Sequence, residues 1–214
     1  SKSSPVLVIG NHSFVEISAS IFYTLARKED GAVWAWGDGG SGQLGNNTTI
    51  SKSSPVLVVG EHNFIEIAAG NNHTLVRKDN GEVWSWGYNG YGQLGDNTAS
   101  FKSSPILVIG GHSFVEIPSG DLWSQARKQN GIVWGWGNNP NGQLGDNTTT
   151  YRSSPVLMTS YAPLMNANNF QGNVQVIPNT LYPINFFSNS DTYIIQISDK
   201  VLGWGNSLVL SWYE

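Results

Sequence analysis

The stretches Val83-Trp84-Ser85-Trp86-Gly87 and Gly92-Gln93-Leu94-Gly95 decide the fold, because the chain of 214 residues contains each of them three times. Both recur 50 residues earlier and 50 residues later, and only the middle residue of the first stretch changes. The segment Ser53-Ser54-Pro55 keeps the same spacing and occurs four times, at residues 3–5, 53–55, 103–105 and 153–155. An internal repeat of this length indicates a repeat architecture in which each copy is one structural unit.

Each repeat is predicted to hold four short β-strands. In the second copy, Phe64-Ile65-Glu66-Ile67 alternates apolar and polar residues, and Asp79-Asn80-Gly81 favours a hairpin turn between two extended stretches, residues 73–78 and 82–86. The apolar stretch after Pro55 supplies a further strand. Four short strands with fixed Gly and aromatic residues are typical of propeller blades. The sequence therefore predicts an all-β protein, a β-propeller of roughly 50-residue four-stranded blades, three of them regular and one degenerate.

The repeat also predicts the domain organisation. Blades are expected at residues 1–50, 51–100 and 101–150. Residues 151–214 begin like a fourth copy, lose the pattern after Met158, and echo the Trp-bearing strand again near Trp204. This segment is expected to be a degenerate fourth blade or a small β module, with assembly or anchoring as its role. A ring needs about four blades to close, so the chain closes alone, pairs with a second copy or belongs to a longer chain.

The repeated residues resemble the regulator of chromosome condensation repeat family over residues 1 to about 158. The resemblance rests on His73-Thr74-Leu75, the stretch 79–87, Gly92-Gln93-Leu94-Gly95-Asp96-Asn97-Thr98 and the Ser-Ser-Pro segments. Members of that family usually form seven-bladed propellers, and they include an exchange factor for a small GTPase and a secreted inhibitor of β-lactamase. The resemblance implies a protein-binding function. This chain departs from the family in having three good repeats, and its loops do not match the loops on which exchange activity depends.

Composition excludes several classes of function. The net charge is -4 and the sequence pI is about 5.5, which argues against a nucleic-acid partner and against electrostatic attachment to membranes. No apolar run approaches the roughly 20 residues that a membrane-spanning helix needs, so no membrane insertion is expected. The chain has no cysteine, which excludes disulfides, thiolate metal sites and a cysteine nucleophile.

The residue types that could carry chemistry all follow the repeat, which favours an architectural role for them. Histidines at one repeat position would lie more than about 10 Å apart on neighbouring blades, too far for one metal ion. The acidic residues occupy strand and turn positions of the repeat, and neither a nucleophile elbow nor a phosphate loop is present. We therefore expect no catalytic residue, no cofactor, no metal site and no enzymatic activity; the residues concerned are His12, His62, His73, His112, Glu16, Glu66, Glu116, Asp96 and Asp146.

Two further repeated sets, tryptophans and basic residues, also favour structural roles. The tryptophan pairs two residues apart are predicted to pack blade against blade: Trp34 with Trp36, Trp84 with Trp86, and Trp134 with Trp136. The basic residues are expected at solvated strand ends, and the alternative is a basic arc for an acidic partner. They form two series: Arg27-Lys28, Arg77-Lys78 and Arg127-Lys128, and then Lys2, Lys52, Lys102 and Arg152.

Loop positions that differ between copies are the candidates for binding, because the framework positions are held by packing. One variable loop covers residues 20–23, 70–73 and 120–123, and the other covers residues 38–41, 88–91 and 138–141. Aromatic residues in loops are strong interface anchors. The candidate partner contacts are therefore Phe22, Tyr88, Tyr91 and Trp123.

The sequence leaves three functional hypotheses open. The first is a non-enzymatic scaffold, a structural or adhesive module of a virion, cell-surface or other extracellular assembly, since the repeats are nearly identical and only 12% of the residues are charged. It includes self-association and an extracellular or virion-surface location. The second, implied by the resemblance, is a soluble protein-binding regulator or inhibitor. The third is a carbohydrate-binding propeller that uses exposed aromatic residues.

Overall fold

The structure is a computed structural model, and it describes residues 4, 6–60 and 63–158 together with the strand segments of the C-terminal part. The chain divides into two compact units, Ser1–Met158 and Thr159–Glu214. Every regular element that the structure describes is a β-strand. No described part of the chain forms a helix long and apolar enough to cross a membrane.

The first unit holds three antiparallel sheets, each built from strands in chain order. The first sheet contains β1 (Glu16–Ala19), β2 (Tyr23–Arg27), β3 (Val33–Gly37) and β4 (Lys52–Leu57). The second sheet contains β5 (Phe64–Ala69), β6 (His73–Lys78), β7 (Val83–Gly87) and β8 (Lys102–Leu107). The third sheet contains β9 (Trp123–Arg127), β10 (Val133–Gly137) and β11 (Arg152–Leu157). The predicted all-β propeller fold is thereby confirmed.

The N-terminal edge of the third sheet departs from the repeat. Where the other sheets have β1 and β5, it has two isolated bridges, Glu116 to Arg127 and Ser119 to Ser124. Pro118 lies between them, at the position of Ser18 and Ala68. Proline has no backbone N–H to donate, and it interrupts a ladder of strand hydrogen bonds. The predicted four strands per copy therefore hold for the first two sheets, whereas the third has three strands and a broken fourth.

The sheets and the predicted 50-residue units are offset by one strand. The last strand of the first sheet, β4, lies in the predicted unit 51–100, yet it pairs with β3 through Trp34 opposite Leu57 and Gly37 opposite Lys52. In the same way β8 comes from the predicted unit 101–150. The reason is the long connection after β3, which carries the Gly-Gln-Leu-Gly turn and returns the chain so that β4 pairs with β3.

Two apolar cores fill the spaces between neighbouring sheets. We call the face of a sheet that packs on the next sheet along the chain its front face, and the opposite one its rear face. The front face of the first sheet packs on the rear face of the second through Tyr23, Leu25, Val33, Ala35, Leu44, Phe64, Ile67, Val76 and Trp86. The second and third sheets pack alike through Leu75, Val83, Phe114, Ile117, Ala126 and Trp136.

The Gly-Gln-Leu-Gly turns join each sheet to the next by hydrogen bonds. The carbonyl oxygen of Gln43 accepts from Trp86 Nε1 at 2.9 Å and from Thr74 Oγ1 at 3.0 Å. The carbonyl oxygen of Gln93 accepts from Trp136 Nε1 at 2.9 Å and from Ser124 Oγ at 2.8 Å. The predicted packing of these tryptophans between blades is therefore confirmed.

The second unit contains a two-stranded and a three-stranded antiparallel sheet. The strands are β12 (Gln175–Val176), β13 (Thr180–Leu181), β14 (Ile184–Asn189), β15 (Thr192–Ile197) and β16 (Lys200–Trp204). Trp204, the residue that echoes the repeat, pairs with Tyr193 in the three-stranded sheet. Residues 207–214, whose alternating pattern predicts a final strand, lie outside the described residues. That this unit is a degenerate fourth blade or an anchoring module stays a prediction.

Candidate protein-binding surface

Both variable loops lie at the same end of each sheet. The loop before the second strand and the loop after the third strand are joined by one backbone hydrogen bond per sheet. Asp38 N donates to Phe22 O at 2.9 Å, and Tyr88 N donates to Asn72 O at 2.8 Å. Asn138 N donates to Leu122 O at 3.0 Å in the third sheet. This end, which we call the loop end, therefore presents both variable loops of each sheet.

An aromatic cluster of Tyr88, Tyr91 and Phe101 occupies the loop end of the second sheet. The ring of Tyr88 lies 6.3 Å from the ring of Tyr91 and 4.7 Å from the ring of Phe101, measured between centroids. Tyr91 and Phe101 are exposed, whereas Tyr88 is half-buried beneath them. Aromatic groups that are held together and exposed offer a large apolar contact area with a polar hydroxyl.

Sequence reasoning missed Phe101, although a signal for it existed. Phe101 stands at the repeat position of Ser51 and Tyr151, so this position also varies between copies while its neighbours are kept. It was overlooked because it lies directly before a strand and outside the two loops compared. Tyr151 is exposed like Phe101. Exposed positions that change between copies therefore mark candidate contacts outside the two variable loops as well.

The structure places the four predicted contact residues in three different settings. Tyr88 and Tyr91 belong to one cluster, and Phe22 is exposed on the loop of the first sheet. Trp123 is half-buried and stands at the position of Tyr23 and His73, whose side chains reach the following sheet. Trp123 therefore belongs to the front face of the third sheet. That these residues contact a partner stays a prediction.

The histidines serve the packing of the sheets. His12 lies 4.4 Å from the ring of Trp34, and His112 lies 4.1 Å from the ring of Trp134. His73 is fully buried, and burial lowers its pKa to about 3, so it is neutral. Burial, together with the charge of Lys128, also lowers the pKa of His112. His62 lies outside the described residues. Within the part of the chain that the structure describes, no three His, Asp or Glu side chains form a group that could hold a metal ion.

The repeated glutamates link strands and sheets. Glu16, Glu66 and Glu116 each pair with the arginine opposite them in the neighbouring strand, at 2.6 to 2.7 Å. The second carboxylate oxygen of Glu16 accepts from Ile67 N at 3.2 Å, and that of Glu66 accepts from Ile117 N at 3.1 Å. These carboxylates therefore connect one sheet to the next, in the architectural role that the sequence predicts for them.

The turn aspartates hold the loop after the Gly-Gln-Leu-Gly turn. Asp96 accepts from Thr98 N at 3.0 Å and from Asn89 Nδ2 at 3.0 Å, and it pairs with Lys102 at 3.6 Å. Burial alone would raise the pKa of Asp96, but these hydrogen bonds and the lysine outweigh it and lower the pKa. The same contacts recur at Asp146, which pairs with Arg152 and also has a lowered pKa. Both aspartates are therefore charged structural groups.

Most of the basic series is engaged within the sheets. The arginines of the first series form the ion pairs with the glutamates, and the lysines lie over tryptophan rings. Their Nζ atoms are 5.0 to 5.4 Å from the ring centroids of Trp34, Trp84 and Trp134. In the second series Lys102 and Arg152 pair with the turn aspartates, and Lys2 lies outside the described residues. These contacts favour the structural interpretation over a basic arc for a partner.

Comparison with known families identifies the repeat. A model of the regulator of chromosome condensation (RCC1) repeat matches residues 30–77, 80–124 and 130–166. A second model of the same repeat matches residues 14–43 and 64–93. No curated protein shows significant similarity to the chain.

Solved structures with the same fold include human WBSCR16, which is 20% identical over 94% of this chain and 50% of its own, with a TM-score of 0.62. Yeast RCC1 (Prp20) bound to Kap60 is 19% identical over 94% of this chain and 45% of its own, with a TM-score of 0.62. Prp20p from Saccharomyces cerevisiae is 18% identical over 94% of this chain and 47% of its own, with a TM-score of 0.64. The chain thus spans about half of each. At these identities the likeness shows the fold alone, whereas the repeat model matches more than half of the chain: the chain belongs to the regulator of chromosome condensation (RCC1) repeat family.

Proposed function

We propose that this chain is a non-enzymatic β-propeller scaffold that binds another protein through its loop end, as a regulator of the RCC1 repeat type. The observation that carries the proposal is the contrast between framework and loops. The cores, the turn hydrogen bonds and the ion pairs repeat from sheet to sheet, whereas the loop end changes and exposes aromatic side chains. Exposed aromatic residues held by neighbouring rings are typical anchors of protein interfaces.

The solved relatives support a protein partner. The yeast protein Prp20p is described with binding properties to Gsp1p and histones, and yeast RCC1 has been solved bound to Kap60. This chain is equivalent to about half of those proteins. The proposal therefore concerns a binding scaffold of this kind and not the activity of a whole relative.

The relatives support a protein-binding regulator better than a structural or adhesive module, because they are described with the binding partners Kap60, Gsp1p and histones. A virion, cell-surface or extracellular location draws no support from the fold or from these relatives, and it stays a prediction. Carbohydrate binding also stays a prediction, as does the exclusion of nucleic acid.

The test compares partner capture by the chain and by a loop-end variant. In the variant, Tyr88, Tyr91 and Phe101 are all replaced by serine. The control replaces the exposed Ile65 and Leu107 by serine, because both lie in the second sheet at strand ends away from the loop end. Tagged proteins capture partners from extract after cross-linking, and each partner is then purified and titrated by calorimetry. We expect one stoichiometric protein whose affinity falls about tenfold or more in the variant and not in the control.

Two results would contradict the proposal. Equal affinities of the variant and the control for the captured protein would remove the aromatic cluster from the binding site. Failure to capture any protein at stoichiometric amounts would remove protein binding itself. Phe22→Ser and Trp123→Ser are titrated separately, because these residues lie on other sheets and test whether the site extends along the loop end.

A further inference from the structure

The rear face of the first sheet exposes residues whose counterparts are buried. Ile17 is 71% exposed, whereas Ile67 and Ile117, at the same repeat position, are 5% and 2% exposed. Trp36 and Phe14 are half-buried, and their counterparts in the second and third sheets are almost completely buried in the two cores. We call Phe14, Ile17 and Trp36 the rear patch. It carries the side chains of a sheet-binding face, and no other described sheet of residues 1–158 packs on it.

The front face of the third sheet shows the opposite half of the same interface. Glu116 is 52% exposed, against 28% for Glu16 and 25% for Glu66, which both accept a hydrogen bond from the following sheet. The turn Gln143-Leu144-Gly145 is kept, and Leu144 is buried like Leu44 and Leu94. Trp123 stands where Tyr23 and His73 reach into the following sheet.

We propose that these two faces bind each other between two copies of the chain. The rear patch of one copy packs on the front face of the third sheet of another, in the arrangement of the two interfaces inside the chain. Trp36 Nε1 and Thr24 Oγ1 then donate to the carbonyl oxygen of Gln143, as Trp86 and Thr74 donate to Gln43. Ile17 N donates to the carboxylate of Glu116, as Ile67 N donates to Glu16.

A second copy suits the rear patch because the patch needs a specific set of groups at fixed spacing. The first internal interface defines this set as a turn carbonyl oxygen, the turn leucine and a carboxylate on one sheet face, and the second interface repeats the carbonyl oxygen and the carboxylate. In the first and second sheets, these groups already bind the next sheet of the same chain. The third sheet of another copy supplies all three groups in the same frame. The contact is heterologous, since different surfaces meet, and such contacts build rings or open chains.

Two residues of the third sheet make this contact weaker than the internal ones. Gln125 replaces Leu25 and Leu75, and its Nε2 lies 3.5 Å from the carbonyl oxygen of Gln143, the acceptor that Trp36 needs. Met158 replaces Val58 and Val108, and its methyl group lies over Gly145 where Trp86 lies over Gly45. Both side chains are flexible and can move aside, at a cost. The association is therefore expected to be reversible and to depend on concentration.

The experiment measures the mass of the full chain by light scattering after size exclusion, at loading concentrations from about 1 to 200 µM, the range of weak specific contacts. Ile17→Arg blocks the rear patch and Glu116→Arg blocks the front face. Ile17 is 71% exposed and the Glu116 side chain 52% exposed; because Glu116→Arg also removes the exposed ion pair with Arg127, unfolding in urea verifies that both variants are folded. Ile50→Arg is the control, because Ile50 is 62% exposed on a loop and away from both faces.

We expect the mass of the chain and of the control to rise with concentration, and each blocked variant to stay at the mass of one chain. A mixture of the two blocked variants should form pairs and nothing larger, because each variant keeps the face that the other lacks. A single-chain mass of the unmodified protein at every concentration overturns the proposal. So does a blocked variant that still associates, which would indicate that like faces meet, or a mixture of the two blocked variants that forms no pairs.

A gain-of-function variant tests the same contact from the other side. Gln125→Leu restores the residue of the other two sheets and frees the carbonyl oxygen of Gln143. We expect the midpoint of association to fall several-fold in concentration, and the gain to vanish when Ile17→Arg is added. A gain that persists in that background would mean that the leucine promotes unspecific association, and it would count against the proposed contact.

Discussion

His73 is a buried imidazole at the junction of the second and third sheets. Its Nε2 lies 3.0 Å from Ser124 Oγ and 3.2 Å from Ser119 Oγ, and no charged partner compensates its burial among the described residues. Burial disfavours the charged form and lowers the pKa of His73 to about 3, from an ordinary value of 6.5. Protonation therefore opposes folding.

The sign of the resulting pH dependence follows from the two pKa values. The unfolded chain binds a proton below pH 6.5, whereas folded His73 does not until about pH 3. The contribution of His73 to the free energy of unfolding is therefore complete above pH 6.5. As the pH decreases from 6.5 to about 3, this contribution falls by about 1.4 kcal/mol per pH unit. Urea unfolding measures this pH dependence between pH 7.5 and about pH 5. This range lies above the ordinary pKa of carboxylates, so that their titration does not contribute.

The variant for this measurement is His73→Tyr, because Tyr23 holds the same position in the first sheet and its hydroxyl also reaches the next sheet. The slope of stability against pH should be shallower in His73→Tyr than in the unmodified chain. His112→Asn is the control, since its lowered pKa adds a smaller slope of the same sign. An unchanged slope in His73→Tyr would show that His73 is not buried in its neutral form.

Trp86 combines burial with a hydrogen bond, whereas its counterpart Trp36 is only half-buried. Trp86→Phe removes the donor to the carbonyl oxygen of Gln43 and leaves a gap in the first core. The loss should cost about 1–3 kcal/mol of unfolding free energy, measured in urea. Trp36→Phe, measured at low protein concentration, should cost less than half as much. Equal costs would contradict the structural difference between the two faces.

At the scale of elements, the Gly-Gln-Leu-Gly turn needs its last glycine for two reasons. Gly95 has a φ of +68°, and a Cβ there would lie 2.8 Å from Trp136 Nε1. Gly145 has a φ of +63°, and a Cβ there would meet the methyl end of Met158 at 2.8 Å. The backbone penalty for alanine is about 1–2 kcal/mol at both positions. The two glycines differ in their neighbours. The buried indole of Trp136 cannot move aside for a Cβ at position 95, whereas the flexible end of Met158 can move aside for one at position 145.

Gly95→Ala should therefore destabilise the protein by about 1–3 kcal/mol more than Gly145→Ala, because it also forces a buried side chain to shift. Thermal unfolding of the two variants side by side measures the difference. If the two variants unfold at the same temperature, the third turn is packed as tightly as the second. That result would contradict the contact of Gly145 with a movable methionine end.

The strands show what the sequence predicts well and what it does not. Alternation in Phe64-Ile65-Glu66-Ile67 and the turn at Gly81 place β5, β6 and β7 correctly, because these signals are local. The sheet to which Lys52–Leu57 belongs depends on the path of a long connection, which no local pattern encodes. The break at Pro118 could be foreseen from its missing N–H, while the contact of Phe101 with Tyr88 needs the structure.

For the whole molecule, the repeat makes residues 1–158 a series of sheets in which each one contacts its neighbours. The fold was predictable because the same contacts are specified three times over. The loop end was only partly predictable, because variation marks positions free to change and does not say which of them meet in space. Within residues 1–158, the second sheet packs on another sheet with both of its faces, and the first and third sheets each pack with one face.

This arrangement predicts an order of local stability. Opening the second sheet breaks both cores, whereas opening the first or third sheet breaks only one. Amide hydrogen exchange reports such local opening energies. At a protein concentration low enough to keep single chains apart, amides of β6 and β7 should exchange most slowly among the strands of residues 1–158, and those of β1 and residues 115–119 fastest. Slower exchange in β2 or β9 than in β6 would mean that a face of the first or third sheet is covered in the single chain, and a face covered in that way is not available to a second copy.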